Sequence, residues 1–274
     1  MKIPLFSFLF CSISLAINGG NDNLPIGARS SALANTSLTL VDVWSAHHNQ
    51  AGLGFISKAS AGVSYENRFQ LAETGLSSAV IALPLKNNKG TFGLSVRKFG
   101  YSQYNESKIG LGFGRSFGDH LSIGMQLNYQ SIQIGDIYGN KSAFTVEVGA
   151  MYKLSPELTI AAHIYNPSRS KITEFDQDRL PAIMRLGMRY QFSKRVFLAV
   201  ETEKDTYNKA VLRCGMEYFV GDILFLRAGV ASQPLSNSFG FGLKLNKFQV
   251  DMAGNFHPVL GISPQLSLTY QFRD

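Results

Sequence analysis

Past residue 58 the chain alternates between apolar and polar positions with a period of two. In LSIGMQLNY, one face carries Leu121, Ile123, Met125, Leu127 and Tyr129, and the other carries Ser122, Gly124, Gln126 and Asn128. FTVEVGAMYKL and the C-terminal LSLTYQF repeat the pattern. Successive side chains of a strand point to opposite faces, so this alternation predicts strands with one apolar and one polar face. No stretch past residue 58 has a helical period. Short turn signals at Asn87-Asn88, Gly118-Asp119, Ser155-Pro156, Ser193-Lys194, Gly221-Asp222 and Asn246-Lys247 suit tight hairpins. Longer polar stretches fall between them, around 67–71, 100–107, 135–142, 166–181, 204–208, 232–237 and 256–263. The two kinds alternate and predict about fourteen strands.

Short turns on one side and longer loops on the other mark a β-barrel that crosses a membrane. The expected fold is therefore all-β: a membrane-spanning, antiparallel, up-and-down barrel of about fourteen strands. Phe117, Tyr190, Phe192, Tyr218 and Phe219 precede tight turns, as in an interfacial girdle. A soluble β-sandwich also alternates, but its outer faces need charge. Here the polar face is mostly Gly, Ser, Thr, Gln and Asn. Charged residues make up only 16% of the chain, below the roughly 25% of soluble domains, which turns the choice toward the membrane.

The first residues, MKIPLFSFLFCSISLA, have the layout of a secretory signal peptide: Lys2, then an apolar run from Pro4 to Leu15, then small residues. The run is short for a membrane anchor. Residues 1–16 are read as that signal, 17–58 as a separate N-terminal segment and 59–274 as the barrel. The expected location is the cell outer membrane. Beyond the signal only Cys214 remains, so neither an internal disulfide nor a cysteine-based metal site is expected. The net charge of +7 is spread along the chain without a basic block, which argues against a nucleic-acid partner.

With the apolar face toward lipid, the polar face lines the lumen. It carries Arg97, Glu147, Arg185, Arg189, Glu201, Glu203, Arg213, Glu217 and Lys244. Arg185 and Arg189 on one strand, Glu201 on the next and Arg213 and Glu217 on the third bring opposite charges together. Two readings stand: a structural salt-bridge patch, or a selectivity patch in a pore. The segment 223–231 is apolar on both faces, so its inward residues are unassigned. A barrel of this size is too wide for wall side chains to fill. The material left over to fill it is the segment from about Leu24 to Lys58.

That segment reads LPIGARSSALANTSLTLVDVWSAHHNQAGLGF. Pro25, Gly27-Ala28-Arg29, Ala32-Leu33-Ala34, Ser37, Asp42 and Asn49-Gln50-Ala51-Gly52-Leu53 resemble the start of Bacteroidota outer-membrane proteins of the PorV/PorQ type, relatives of the FadL-like transporters. Gln50 departs from the proline usual there. The motif covers about thirty residues; the rest matches in architecture. The resemblance implies a lumenal hatch built on Gly27, Ala28, Arg29, Asp42, Trp44, Asn49 and Gly52. It also implies an accessory role in type IX secretion or surface assembly, with secretion-system components as partners. The alternative is a FadL-like transporter of hydrophobic small molecules. Arg29 and Asp42 could bond each other, and Trp44 could wedge the segment against the wall.

An enzyme is the weakest expectation. His47-His48 would need further ligands to hold a metal, and the pair is read as hatch-surface or periplasmic. His120 falls in a tight turn, and His163 has lumenal parity near Tyr165. The sequence has no Gly-x-Ser-x-Gly, phosphate-loop or dinucleotide motif, so no catalytic residue, cofactor or metal is expected. The expected state is a monomeric barrel in outer-membrane lipid.

Overall fold

The structure is a computed structural model that describes residues 23, 25–135, 139–172 and 179–272. The predicted signal peptide lies outside the described residues. Fourteen antiparallel strands form a closed barrel in which each strand pairs with its sequence neighbours and the first pairs with the last. The strands are β1 (Ser60–Asn67), β2 (Gly75–Pro84), β3 (Thr91–Gly100), β4 (Tyr104–Phe117) and β5 (Leu121–Ile134). Next come β6 (Asn140–Lys153), β7 (Leu158–Tyr165), β8 (Ile183–Ser193), β9 (Val196–Asp205) and β10 (Val211–Val220). The last four are β11 (Leu224–Ser232), β12 (Leu235–Leu245), β13 (Phe248–His257) and β14 (Gly261–Gln271).

The period-two pattern maps onto this wall with its faces reversed from those of a soluble protein. Leu127 is 54% exposed on the outside, and its neighbour Asn128 is fully buried inside. Ile123, Met125, Phe144, Met188 and Leu266 repeat the outward exposure, and Ser122, Gln126, Thr145 and Ser267 the inward burial. Water would penalise that many exposed large apolar side chains, whereas a bilayer solvates them. Closure gives every strand a neighbour on both sides, which lipid requires because it offers no hydrogen bonds.

All six expected tight turns connect strands. The opposite end differs from expectation. Only residues 101–103 separate β3 from β4, Gln233 and Pro234 separate β11 from β12, and 258–260 separate β13 from β14. The polar stretches read as long loops are partly strand: β4 begins at Tyr104 and runs through Asn105–Ser107, and β6 begins at Asn140. Ladder hydrogen bonds continue above the apolar belt, where polar side chains suit both faces. The connection after β7 is long, and β7 pairs with β6 only from Glu147↔Tyr165 toward the short-turn rim. Among the described residues, the outer end of β6 therefore pairs with β5 alone.

The segment ahead of β1 lies inside the barrel. It holds two short helices, α1 (Ala28–Ala32) and α2 (Ser45–His48), and a 3-10 helix Gln50–Phe55. Ala28, Leu33, Ala46, Asn49, Gln50 and Leu53 are wholly buried. The resulting core is an apolar and polar filling enclosed by a polar wall.

Candidate functional site

The site is the contact between this segment and the inner wall, and small wall residues make it possible. Inward positions on most strands around the ring are glycine. A Cβ on Gly62 would meet the Trp44 ring at 3.0 Å, on Gly93 the Leu53 side chain at 2.7 Å and on Gly240 the Ala32 Cβ at 2.6 Å. On Gly215 it would meet the Leu33 carbonyl oxygen at 2.7 Å, and on Gly187 the Leu38 side chain at 3.2 Å. Gly124 and Gly149 lie against Gln50 and Asn49 in the same way. These glycines serve close approach, not backbone freedom: their wall positions let the segment's own backbone touch the sheet.

Within the segment, Gly27 has φ 87°, and a Cβ there would strike the Trp44 ring at 2.8 Å. Trp44 is buried with Ile26, Val43, Leu53, Leu76, Val80 and Ala82, packed between the segment and strands β1 and β2. Asp42 caps the turn into α2, its Oδ1 accepting from the Trp44 N–H at 2.9 Å. Asn49 donates to the Leu38 carbonyl at 3.0 Å and accepts from the Ala51 N–H at 3.1 Å, which starts the 3-10 helix. Gly52 lies where a Cβ would press on Ser45.

Three wall carboxylates grip the segment. Glu217 on β10 takes a two-pronged contact from Arg29, at 2.9 Å from Nε and 2.8 Å from Nη2. Arg29 also reaches Asp42 at 3.0 Å, the pairing the sequence suggested. Behind them Arg227 joins Glu217 at 2.6 Å and Asp251 at 2.7 Å. Glu201 on β9 accepts from the backbone N–H groups of Ser37 and Leu38, both at 3.0 Å. It is held by Arg185, whose Nη2 also donates to Ser37 Oγ at 3.0 Å. Arg213 pairs with Glu203 at 3.0 Å. Glu147 on β6 receives Lys108, Asn128 Nδ2 at 2.9 Å, Gln50 Nε2 at 3.2 Å and lies 3.0 Å from His163 Nε2. Most of these groups are buried, with Arg29, Asp42 and Glu203 partly so, in a low-dielectric interior where an unmatched charge is costly and a matched, hydrogen-bonded one is directional.

Several expectations need correction. His47 and His48 are buried, not on the segment's surface or in the periplasm. They belong to a helix that packs inward, and His48 Nε2 is 2.8 Å from the Ile26 carbonyl oxygen. Among the described residues no group of three His, Cys, Asp or Glu side chains is placed to hold a metal ion. Lys244 is exposed at the short-turn rim, over the Phe219 ring, not in the lumenal network. Arg189 has the inward parity expected of it but is half-buried over the Phe197 ring, outside the bonded network. Gln50, the departure from proline, supplies an amide to Glu147 and Gln126 that proline lacks.

Above the segment, toward the long-loop end, lies a cavity of about 730 Å³. Its floor is Pro25, Ser31, Ala34 and Asn35; its walls mix Phe69, Ile183, Val211 and Pro234 with Arg68, Glu203, Asp205 and Arg213. Ser31 faces this cavity, while Arg29 in the same helical turn reaches Glu217 toward the short-turn rim. The segment, α1 included, thus lies between the cavity and that rim.

No family model matches the sequence, and a search of curated proteins returns no match. Solved structures do match in shape. A monoaromatic hydrocarbon channel, CymD, has TM-score 0.70 at 13% identity over 93% of this chain and 100% of that one. The toluene transporter TbuX of Ralstonia pickettii has TM-score 0.73 at 12% identity, over 92% and 100%. A FadL homologue of Pseudomonas aeruginosa has TM-score 0.63 at 18% identity, over 90% and 98%. The fold is a FadL-like barrel. At these identities the likeness concerns the fold, and the structures it points to are channels and transporters, not enzymes.

In this FadL-like barrel the lumenal residues expected from parity, Arg185, Glu201, Arg213 and Glu217, come together with the N-terminal segment. Sequence reasoning missed Lys108, Arg227 and Asp251 as partners. Lys108 and Asp251 had a usable signal, since both sit on the polar parity of their strands. Arg227 had none, because both faces of β11 are otherwise apolar. The wall glycines were visible as polar-face residues, but what they touch was not.

Proposed function

We propose that the chain is an outer-membrane passage for hydrophobic small molecules, closed at rest by its N-terminal segment, residues 17–58, acting as a hatch in the barrel of residues 59–274. One observation carries the reading: a lumen filled by a segment bonded only noncovalently to a polar wall, beneath a cavity open to the long-loop end. Long loops face outside and short turns face the periplasm in such barrels. Solute would collect in the cavity on the outer side, and the segment that forms its floor would be the barrier to cross. Among the described residues, outer β6 is paired on one side only, which would make it a weak place in the wall. The hydrocarbon channels of like fold support this reading over a role in secretion.

The PorV/PorQ reading keeps the support of the Gly27-Ala28-Arg29 and Asn49–Leu53 motifs, and the seating of these residues is compatible with either role. It predicts recovery of secretion components when the protein is purified under mild conditions. The transport reading is tested by uptake of labelled toluene and a labelled long-chain fatty acid into cells with and without the protein. Faster uptake with the protein supports it; equal uptake of both solutes overturns it.

A further inference from the structure

Six charged groups meet near the short-turn rim. Asp42 and Arg29 belong to the segment; Glu217, Arg227, Asp251 and Arg189 belong to the wall. Five of them are joined in one bonded chain running Asp42, Arg29, Glu217, Arg227, Asp251. Arg189 is the exception. Its guanidinium lies 5.6 Å from the Phe197 ring, and its Nε is buried without a hydrogen-bond partner. It is nevertheless within electrostatic reach of Glu217, Asp42 and Arg29. Register explains the arrangement. On β9, Phe197 is directly opposite Glu217 of β10, and Ala199, two residues on, is directly opposite Arg189 of β8, so Arg189 and Glu217 face the lumen two strands apart with the Phe197 ring beside the guanidinium. The next cation, Lys153, is turned away onto the Phe55 ring at 3.8 Å.

The charges divide in a telling way. The bonded chain holds three carboxylates and two guanidiniums, and Arg189 makes the total neutral. If the segment leaves, Arg29 and Asp42 can leave as a neutral pair. The wall then keeps Glu217, Asp251, Arg227 and Arg189, also neutral. Without Arg189 either state is one carboxylate in excess, but only in the open state has Glu217 also lost the two-pronged contact from Arg29, and a poorly solvated lumen penalises that. We propose that Arg189 is a positioning residue that stands in for Arg29 at Glu217 when the hatch is displaced, so that Arg29–Glu217 works as a releasable latch. The proposal rests on the reading of the segment as a displaceable hatch.

The proposal has an unusual sign. A residue that merely stabilised the closed state would loosen the hatch when removed. Removing Arg189 should tighten it, because the competitor for Glu217 is gone and the open state has lost its counter-charge. Amide hydrogen exchange of residues 28–40 in the purified full chain in detergent reads hatch release without any solute. Arg189→Gln should slow that exchange roughly tenfold, with barrel amides unaffected. Arg189→Lys, which keeps the charge, should restore most of the wild-type rate, and it guards against a folding defect in the first variant. In the Glu217→Gln background, where there is no charge to replace, Arg189→Gln should change nothing. Equal or faster exchange in Arg189→Gln overturns the proposal, as does the same slowing in the Glu217→Gln background. If wild-type segment amides exchange only together with the barrel amides, the displaceable-hatch reading fails first. If they exchange independently and Arg189→Gln does not slow them, the stand-in role alone fails.

Discussion

Replacing Gly215 by alanine should open the barrel without weakening its wall. Gly215 sits inward on β10, and a Cβ there would lie 2.7 Å from the Leu33 carbonyl oxygen and 2.8 Å from the Leu33 Cβ. Ordinary contact needs at least 3.4 Å, so Leu33 must retreat by about 0.7 Å. It has little room to do so. Its side chain is buried against Leu40, Phe197 and Ala199, and the following Ala34 and Asn35 are held at φ 54° and 63°. Overpacking of a tight interior costs ~1–3 kcal/mol. That loss falls on the seated state alone, so the ratio of seated to displaced segment should drop by roughly 5- to 150-fold. The wall itself loses nothing, since alanine suits a strand and reduces unfolded-chain entropy, a gain of ~0.4–1 kcal/mol. Permeability to small sugars in liposome-swelling assays should rise, and the segment should become sensitive to protease, while the barrel's thermal unfolding stays put or moves up. Gly254→Ala is the control: a Cβ there meets only the Ile262 and Phe256 side chains, at 3.2 and 3.5 Å. Wild-type permeability in Gly215→Ala, or equal leak in Gly254→Ala, would refute the view that backbone-to-backbone seating closes the lumen.

A cysteine pair at Ala28 and Ser267, whose backbone N–H and hydroxyl are 3.2 Å apart, should lock the segment to β14 and abolish solute uptake until a reductant is added; uptake unaffected by oxidation would show that the segment need not move. Glu201→Gln removes the charge that Arg185 and two segment N–H groups share, and should lower unfolding stability in detergent by about 3 kcal/mol, read as a fall in the thermal midpoint. Glu147→Gln should destabilise by a similar ~3–5 kcal/mol because buried Lys108 loses its counter-charge; adding Lys108→Met, which keeps an acceptor at 147 for Asn128, should recover most of the loss, and no recovery would mean the pair is needed for packing geometry, not charge balance.

The period-two alternation determined the fold class because strand parity is a local property: each residue's face follows from its neighbours. It placed Leu127 outside and Asn128 inside before any strand was paired. The tight turns were legible for the same reason, since Gly118-Asp119 or Gly221-Asp222 can close a hairpin without help from elsewhere. The loop lengths at the other end were not, because polar residues such as Asn105–Ser107 fit a strand above the bilayer as well as a loop. The N-terminal motif marked Arg29, Asp42, Trp44 and Asn49, and its position ahead of the first strand marked them as filling. What those residues hold was decided by tertiary structure alone. Closing fourteen strands with a defined register brings Glu217, Glu201 and Glu147, from three different strands, to Arg29, the Ser37 and Leu38 amides, and Gln50. It also aligns glycines from β1 to β12 into one seat, buries His47 and His48 instead of exposing them, and turns Arg227 inward from a strand with no readable parity. Parity says which way a side chain points; only closure and register say what stands opposite.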